Sequence, residues 1–238
     1  ATVDNSGLLT AISDGTTTVT FTDNTTGCPS LNANGIITVK PLPSFSVSLT
    51  NPTTCGANDG TLTITGLNAS TNYDVSIAAG ALNTETSNAS GEIIFTGLSA
   101  GSYSPIEIVL NGCSTVDNST YDLNDPSSPS ITVPSGGVVC EGETLTLSPS
   151  TGGTWSSSNP AVASVTAAGV VTGVTAGTAT MTFTDGITGC TSIAAAGLIT
   201  VNPAPTITIP VDGELCEGET FNLSPSTGGT WLSSNPAV

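Results

Sequence analysis

Basic side chains are almost missing from this 238-residue chain. It has no arginine, no histidine and a single lysine, Lys40, against 18 acidic residues, for a formal net charge of −17. Each absence excludes a class of function. Nucleic acid is bound by exchanging Lys and Arg for the counterions of phosphate, and one lysine does not suffice. An anionic membrane surface repels such a chain. Without histidine there is no Ser-His-Asp or Cys-His machinery and no His-ligated zinc or iron. No run of about 18 apolar residues exists, so direct membrane insertion through a helix is not expected. A starting Met and a positively charged leader are also lacking, which places any signal peptide outside this segment. Aromatics make up 4% of the chain and charged residues only 8%. The low charged fraction separates it from a disordered acidic tail.

What is present is Thr, Ser, Gly, Val, Ala and Asn. Thr and Val suit pleated, half-buried surfaces, and 27 Gly and 15 Pro punctuate turns. The organisation follows from internal repeats. Residues 131–162 align with 207–238 at a shift of 76, without a gap and with 24 of 32 positions identical. Residues 1–45 align with 163–207 at a shift of 162, again without a gap, with 22 of 45 identical. The two shifts sum to the chain length, 76 + 162 = 238. Val238 is therefore equivalent to Val162, and Ala1 to the next residue, Ala163. The expected organisation has a complete module at 131–206 and a different module at 46–130. A third module is split between the ends: 207–238 is its N-terminal part, and 1–45 its C-terminal part, supplied by the next copy. Half a sandwich exposes core and strand edges, so the missing half is expected from a neighbour, covalently or by strand donation.

Short alternating segments between turn signals predict strands throughout. In the complete module these are Thr144–Leu147, Thr154–Ser157, Ala163–Val165, Val170–Val174, Thr178–Thr184 and Leu198–Val201. In the middle module they are Phe45–Leu49, Thr61–Thr65, Tyr73–Ile77, Glu92–Phe95 and Pro105–Leu110. The cleanest alternation runs from Ala179 to Thr184, with Ala, Met and Phe on one face and three Thr on the other. No window combines helical periodicity with caps. Proline-containing junctions at 41–43, 126–129 and 203–205 are short and stiff.

These residues carry a family resemblance. The run from Trp155 through Asn159-Pro160 to Val165, followed by Gly169, Gly173 and Gly177, resembles the bacterial Ig-like group 2 module of invasin- and intimin-type adhesins. The same signature restarts at Trp231 and continues at the other end with Val3, Gly7, Leu9 and Gly15. Cys55 to Gly60, Gly97 to Tyr103 and Asn111-Gly112-Cys113 resemble the SprB-type repeat of giant gliding adhesins in Bacteroidota. In that repeat's Gly-Gly and aromatic-rich central strand, this chain has Asn72-Tyr73-Asp74-Val75. The resemblance implies an all-β tandem array of small Ig-like β-sandwich modules forming an extended fibre. It also implies an extracellular, cell-surface location and export by type IX secretion.

Six cysteines allow fifteen pairings. Module membership assigns one pair to each: Cys55 with Cys113, Cys140 with Cys190, and Cys216 with Cys28 of the next copy. Each bond would close a loop of roughly 50–60 residues and add about 2–4 kcal/mol. Oxidised cysteines imply an oxidising compartment. Lys40, before Pro41, is poorly placed for a Lys–Asn isopeptide crosslink.

Other candidates are weaker. The segment from Asp117 to Asp125, with Asp23 and Asp185, offers oxygen ligands that suit calcium, but none has EF-hand spacing, and solvated turns are the expectation. Glu141 and Glu143 form a carboxylate pair that recurs at Glu217 and Glu219, so they read as module architecture rather than catalysis. No catalytic, cofactor or metal site is expected, and no enzymatic activity. Trp155 and Trp231 read as core residues rather than sugar-stacking platforms. Sequons at Asn24, Asn68, Asn88, Asn118 and Asn222 permit glycosylation. The expected function is a structural stalk of a giant adhesin, for surface attachment or gliding. Its partners would be neighbouring copies and a surface or glycan ligand at a tip outside the segment. Two alternatives remain: a filament of separate subunits that complete each other's split module, and a carbohydrate-binding array.

Overall fold

The computed structural model describes residues 1–31, 35–209, 213–225 and 227–236. It is built from strands, and among the described residues short 3₁₀ turns lie at Pro134–Gly137 and Ala194–Gly197. No helix among the described residues is long and apolar enough to cross a membrane. The chain divides into two compact units, Ala1–Ser127 and Ser128–Val238.

The first unit opens with two separate strand pairs. β1 (Thr2–Val3) pairs with β2 (Leu9–Thr10), and β3 (Gly15–Thr18) with β4 (Ile36–Val39). A sandwich follows. One sheet has the order β5 (Ser46–Thr50), β6 (Gly60–Thr65), β9 (Ile93–Leu98). The other runs β12 (Cys113–Asp117), β11 (Ile106–Leu110), β7 (Asn72–Ile77), β8 (Asn83–Thr86). The short pair β10 (Gly101–Ser102) and β13 (Asp122–Leu123) adds to it. Alternate residues of β6, β7 and β11 point inward, and Leu62, Ile64, Tyr73, Val75, Ile106 and Ile108 make the core with Leu67 and Ile93. Period-2 alternation is what a sheet with one buried face requires.

The second unit contains a further sandwich. Its four-stranded sheet has the order β14 (Val138–Cys140), β20 (Leu198–Asn202), β19 (Gly177–Asp185), β16 (Gly153–Ser157). β14 runs parallel to β20, and the other pairs are antiparallel. The facing sheet is β15 (Thr144–Thr146), β18 (Val170–Gly173), β17 (Ala163–Val165). Ala179, Met181 and Phe183 of β19 are buried, as the alternation predicts, beside Val139, Leu147, Trp155, Val171, Ile199 and Val201. Among the described residues of 203–236 there is no strand, and Thr208 and Ser224 form an isolated bridge.

Candidate functional site

The complete sandwich shows how the signature residues act. Trp155 sits in the core, its indole N–H donating to the Pro149 carbonyl at 2.8 Å, with its ring 5.2 Å from Phe183. Gly169 has φ +80°, and a Cβ there would lie 2.9 Å from the Trp155 indole nitrogen, so the turn and the tryptophan require each other. Gly173 leaves room for the Cys140 carbonyl, and Gly177 for Val162. The Asn159 carbonyl accepts the N–H groups of Val162 and Ala163, while the Asn159 N–H donates to the Ser157 hydroxyl at 3.2 Å. Pro160 lies in this turn, before β17.

Glu141 is a tie. One carboxylate oxygen accepts from the Ala176 N–H at 2.7 Å and the other from the Ala204 N–H at 3.2 Å. The acidic turns act likewise. Asp185 accepts the N–H groups of Thr188 and Ile187 and the Thr188 hydroxyl, which hold its carboxyl below the ordinary 3.8. Asp23 is held down by the equivalent set from Thr26 and Thr25. In the segment proposed for calcium, Asp117 accepts from the Ser119 N–H at 2.8 Å and the Tyr121 hydroxyl at 2.7 Å, and Asp125 accepts from the Gly56 N–H at 3.2 Å. Their oxygens serve the protein's own donors. Among the described residues no group of three or more His, Cys, Asp and Glu is placed to hold a metal.

The two end segments reproduce the local geometry of the complete module without its packing. The Phe21 N–H donates to the Ser30 hydroxyl at 2.9 Å, as Phe183 does to Ser192 at 3.0 Å. The Trp231 indole donates to the Pro225 carbonyl at 3.2 Å, as Trp155 does to Pro149. Gly35 faces the Val19 carbonyl as Gly197 faces that of Met181. Yet Phe21 is 73% exposed where Phe183 is 2%, and Trp231 is 47% exposed where Trp155 is 8%. Val3, Ile207 and Leu215 are exposed as well. The cores of 1–45 and 207–236 are thus present in sequence and open in structure.

The cysteines require a correction. Cys55 and Cys190 are in disulfide form, but Cys113 and Cys140 are free thiols, as are Cys28 and Cys216. The expected pairs Cys55–Cys113 and Cys140–Cys190 are not made. Cys140 faces Asn202, and the neighbouring Val201 faces Gly177, the first residue of β19. The Cys190 carbonyl accepts from the N–H of Asp185, the last residue of that strand. Eight residue steps of β19 separate the two levels, about 26 Å at ~3.3 Å per step. A disulfide needs Cα atoms within about 7 Å. In the first unit, Cys113 opens β12 beside Asn111, whose carbonyl accepts from the Lys40 ammonium at 2.7 Å, ahead of β5. The Cys55 sulfur lies 3.6 Å from the Pro126 carbonyl oxygen, beyond the other end of β5. Module membership suggested pairs that strand direction forbids.

Three comparisons place these features. Residues 140–196 match the family model of the bacterial Ig-like domain (group 2). Among solved structures, the chain is similar to the crystal structure of invasin, a bacterial integrin-binding protein, at 15% identity and a TM-score of 0.27. That likeness covers 67% of this chain and 39% of the other, so the chain spans well under half of invasin's length in that structure. Comparison with curated protein sequences returns no match. Within this all-β chain, residues 140–196 are thus similar to the bacterial Ig-like domain (group 2).

Proposed function

We propose that this chain is a structural segment of a bacterial cell-surface, adhesin-type filament, in which residues 207–238 of one copy and 1–45 of the next close into a single Ig-like sandwich. One observation carries the reading: the phenylalanine and tryptophan that fill the complete module are exposed at the equivalent positions Phe21 and Trp231. Burying one such aromatic contributes about 1.5–3 kcal/mol or more, so two open halves with matched shapes favour closure. The role is spacing and load transmission, with surface attachment or gliding as its use. The acidic surface keeps neighbouring fibres apart, and a chain with Lys40 as its only basic residue gives trypsin-type proteases almost nothing to cut.

Copies joined covalently and separate subunits joined by donated halves are the two forms this assembly can take. Reducing, denaturing electrophoresis of native filaments distinguishes them: a very large polypeptide for the first, a 23.4 kDa band for the second. The closure itself is tested with the purified chain under reducing conditions. Concentration-dependent association that Phe21→Asp abolishes is the expected result. A wild-type chain that sediments as a monomer up to millimolar concentration would refute the reading.

A further inference from the structure

The first unit presents a sheet edge that stops one strand short. β3 pairs with β4 in the register Gly15 with Val39, Thr16 with Thr38, Thr17 with Ile37 and Thr18 with Ile36. In the complete module β19 pairs with β20 in the register Gly177 with Val201, Thr178 with Thr200, Ala179 with Ile199 and Thr180 with Leu198. The repeat shift of 162 converts one set into the other without a slip. β20 has a further neighbour on its other edge, β14, in parallel register: Val138 with Thr200, Val139 with Val201 and Cys140 with Asn202. Among the described residues β4 is paired with β3 alone. A cavity of about 660 Å³ lies against β4, with Ile37, Thr38, Val39 and Lys40 in its lining. An unpaired edge with apolar side chains beside it recruits a strand.

The repeat names the strand that fits. By the shift of 76, Glu214, Leu215 and Cys216 are the equivalents of Val138, Val139 and Cys140. In the complete module Val139 and Val201 face the core, while Val138 and Asn202 face solvent. Leu215 is exposed, so laying it beside Val39 removes apolar surface from water. The anchor made by Glu141 has its counterpart as well. The Ala176 and Ala204 N–H groups that hold Glu141 correspond to those of Asp14 and Leu42, which line the same cavity, and Glu217 is the matching carboxylate.

Two differences set this edge apart from its template. Glu214 stands where the complete module has Val138, and Lys40 where it has Asn202. The two positions lie on the solvent face of adjacent strands, on a diagonal of about 8 Å that lysine and glutamate side chains span. Opposite charges therefore meet where the single-chain module has valine and asparagine. Asp14, in place of Ala176, adds a carboxylate to the receiving side, and Lys40 is the only base in the chain. Its ammonium donates to the neutral Asn111 carbonyl at 2.7 Å and keeps further hydrogens to offer.

We propose that the open edge of β4 is the docking site for residues 214–217 of a second copy, which add as a parallel strand, and that Lys40 aligns them by pairing with Glu214. The proposal rests on the closure of the split module argued above and names the contact that sets its register. A charge pair across an interface fixes register and speeds encounter. Away from Lys40 the chain has no side-chain cation, so an acidic segment meets only like charge or none.

The test uses the full chain in sedimentation equilibrium, under reducing conditions and at low ionic strength, where exposed pairs are least screened. Lys40→Glu and Glu214→Lys should each weaken association about fivefold. The double variant, Lys40→Glu with Glu214→Lys, keeps the net charge of −17 and should recover the wild-type constant to within about twofold. A folding defect at position 40 is not repaired by a change at position 214, so recovery separates pairing from structure. Amide hydrogen exchange across residues 38–42 should slow on association. Glu214→Lys that tightens association while Lys40→Glu loosens it would reveal net repulsion alone and overturn the pair, as would a double variant no stronger than the single ones. Exchange that stays unchanged across 38–42 would overturn the docking site. In each of these cases, loss of association in Phe21→Asp leaves the closure standing. A wild-type chain that never associates overturns both.

Discussion

Single residues set the stability of the complete module through two kinds of contact. Trp155 fills the core and is held by Phe183, the Pro149 carbonyl and the Gly169 turn. Trp155→Ala should cost about 3–5 kcal/mol in urea unfolding of the second unit. Asp185 contributes through hydrogen bonds to its ionised form, which lower its pKa. For a carboxyl whose folded pKa is depressed, the stabilisation is present above the unfolded value and disappears as pH falls through the folded one. Asp185→Asn should therefore lower Tm at neutral pH and narrow the gap to wild type as the pH drops below 3.8. A gap unchanged between pH 7 and pH 2 would contradict this account of the turn. Both residues were legible in sequence for different reasons: the tryptophan from its signature, the aspartate from its recurrence at Asp23.

At the scale of elements, strands with a clean alternation were readable and polar edge strands were not. β19 declares itself because Ala179, Met181 and Phe183 face a core between threonines. β8, Asn83–Thr86, and β12, Cys113–Asp117, are made of polar and small residues at sheet edges, where water satisfies one side and no apolar stripe is needed. β14 escaped because Val138, Val139 and Cys140 are all apolar and show no alternation. The cysteine pairing was misread for a related reason: the order of residues gives module membership, but only the register of β14, β20 and β19 shows that Cys140 and Cys190 lie at opposite ends. Equivalent elements in complete and open settings should respond differently to the same change. Phe183→Ala should cost about 3–5 kcal/mol of unfolding free energy. Phe21→Ala should leave the monomer's melting curve within a degree of wild type and weaken association at least tenfold. Equal effects on the monomer would show that β3 and its surroundings are already packed.

For the whole molecule, length and charge acquire a physical meaning. In the proposed filament the 238 residues would form one repeat period, and the near absence of Lys and Arg would give it a surface that repels neighbouring fibres and offers trypsin-type proteases little to cut. The central claim is that 207–238 and 1–45 are halves of one sandwich. The most direct measurement joins them in one chain, residues 46–238 followed by 1–45, in a Trp155→Phe background so that Trp231 is the only fluorophore of its kind. The account predicts blue-shifted Trp231 emission shielded from acrylamide in a monomeric protein. Emission as red-shifted and as readily quenched as in the monomeric natural order would contradict it.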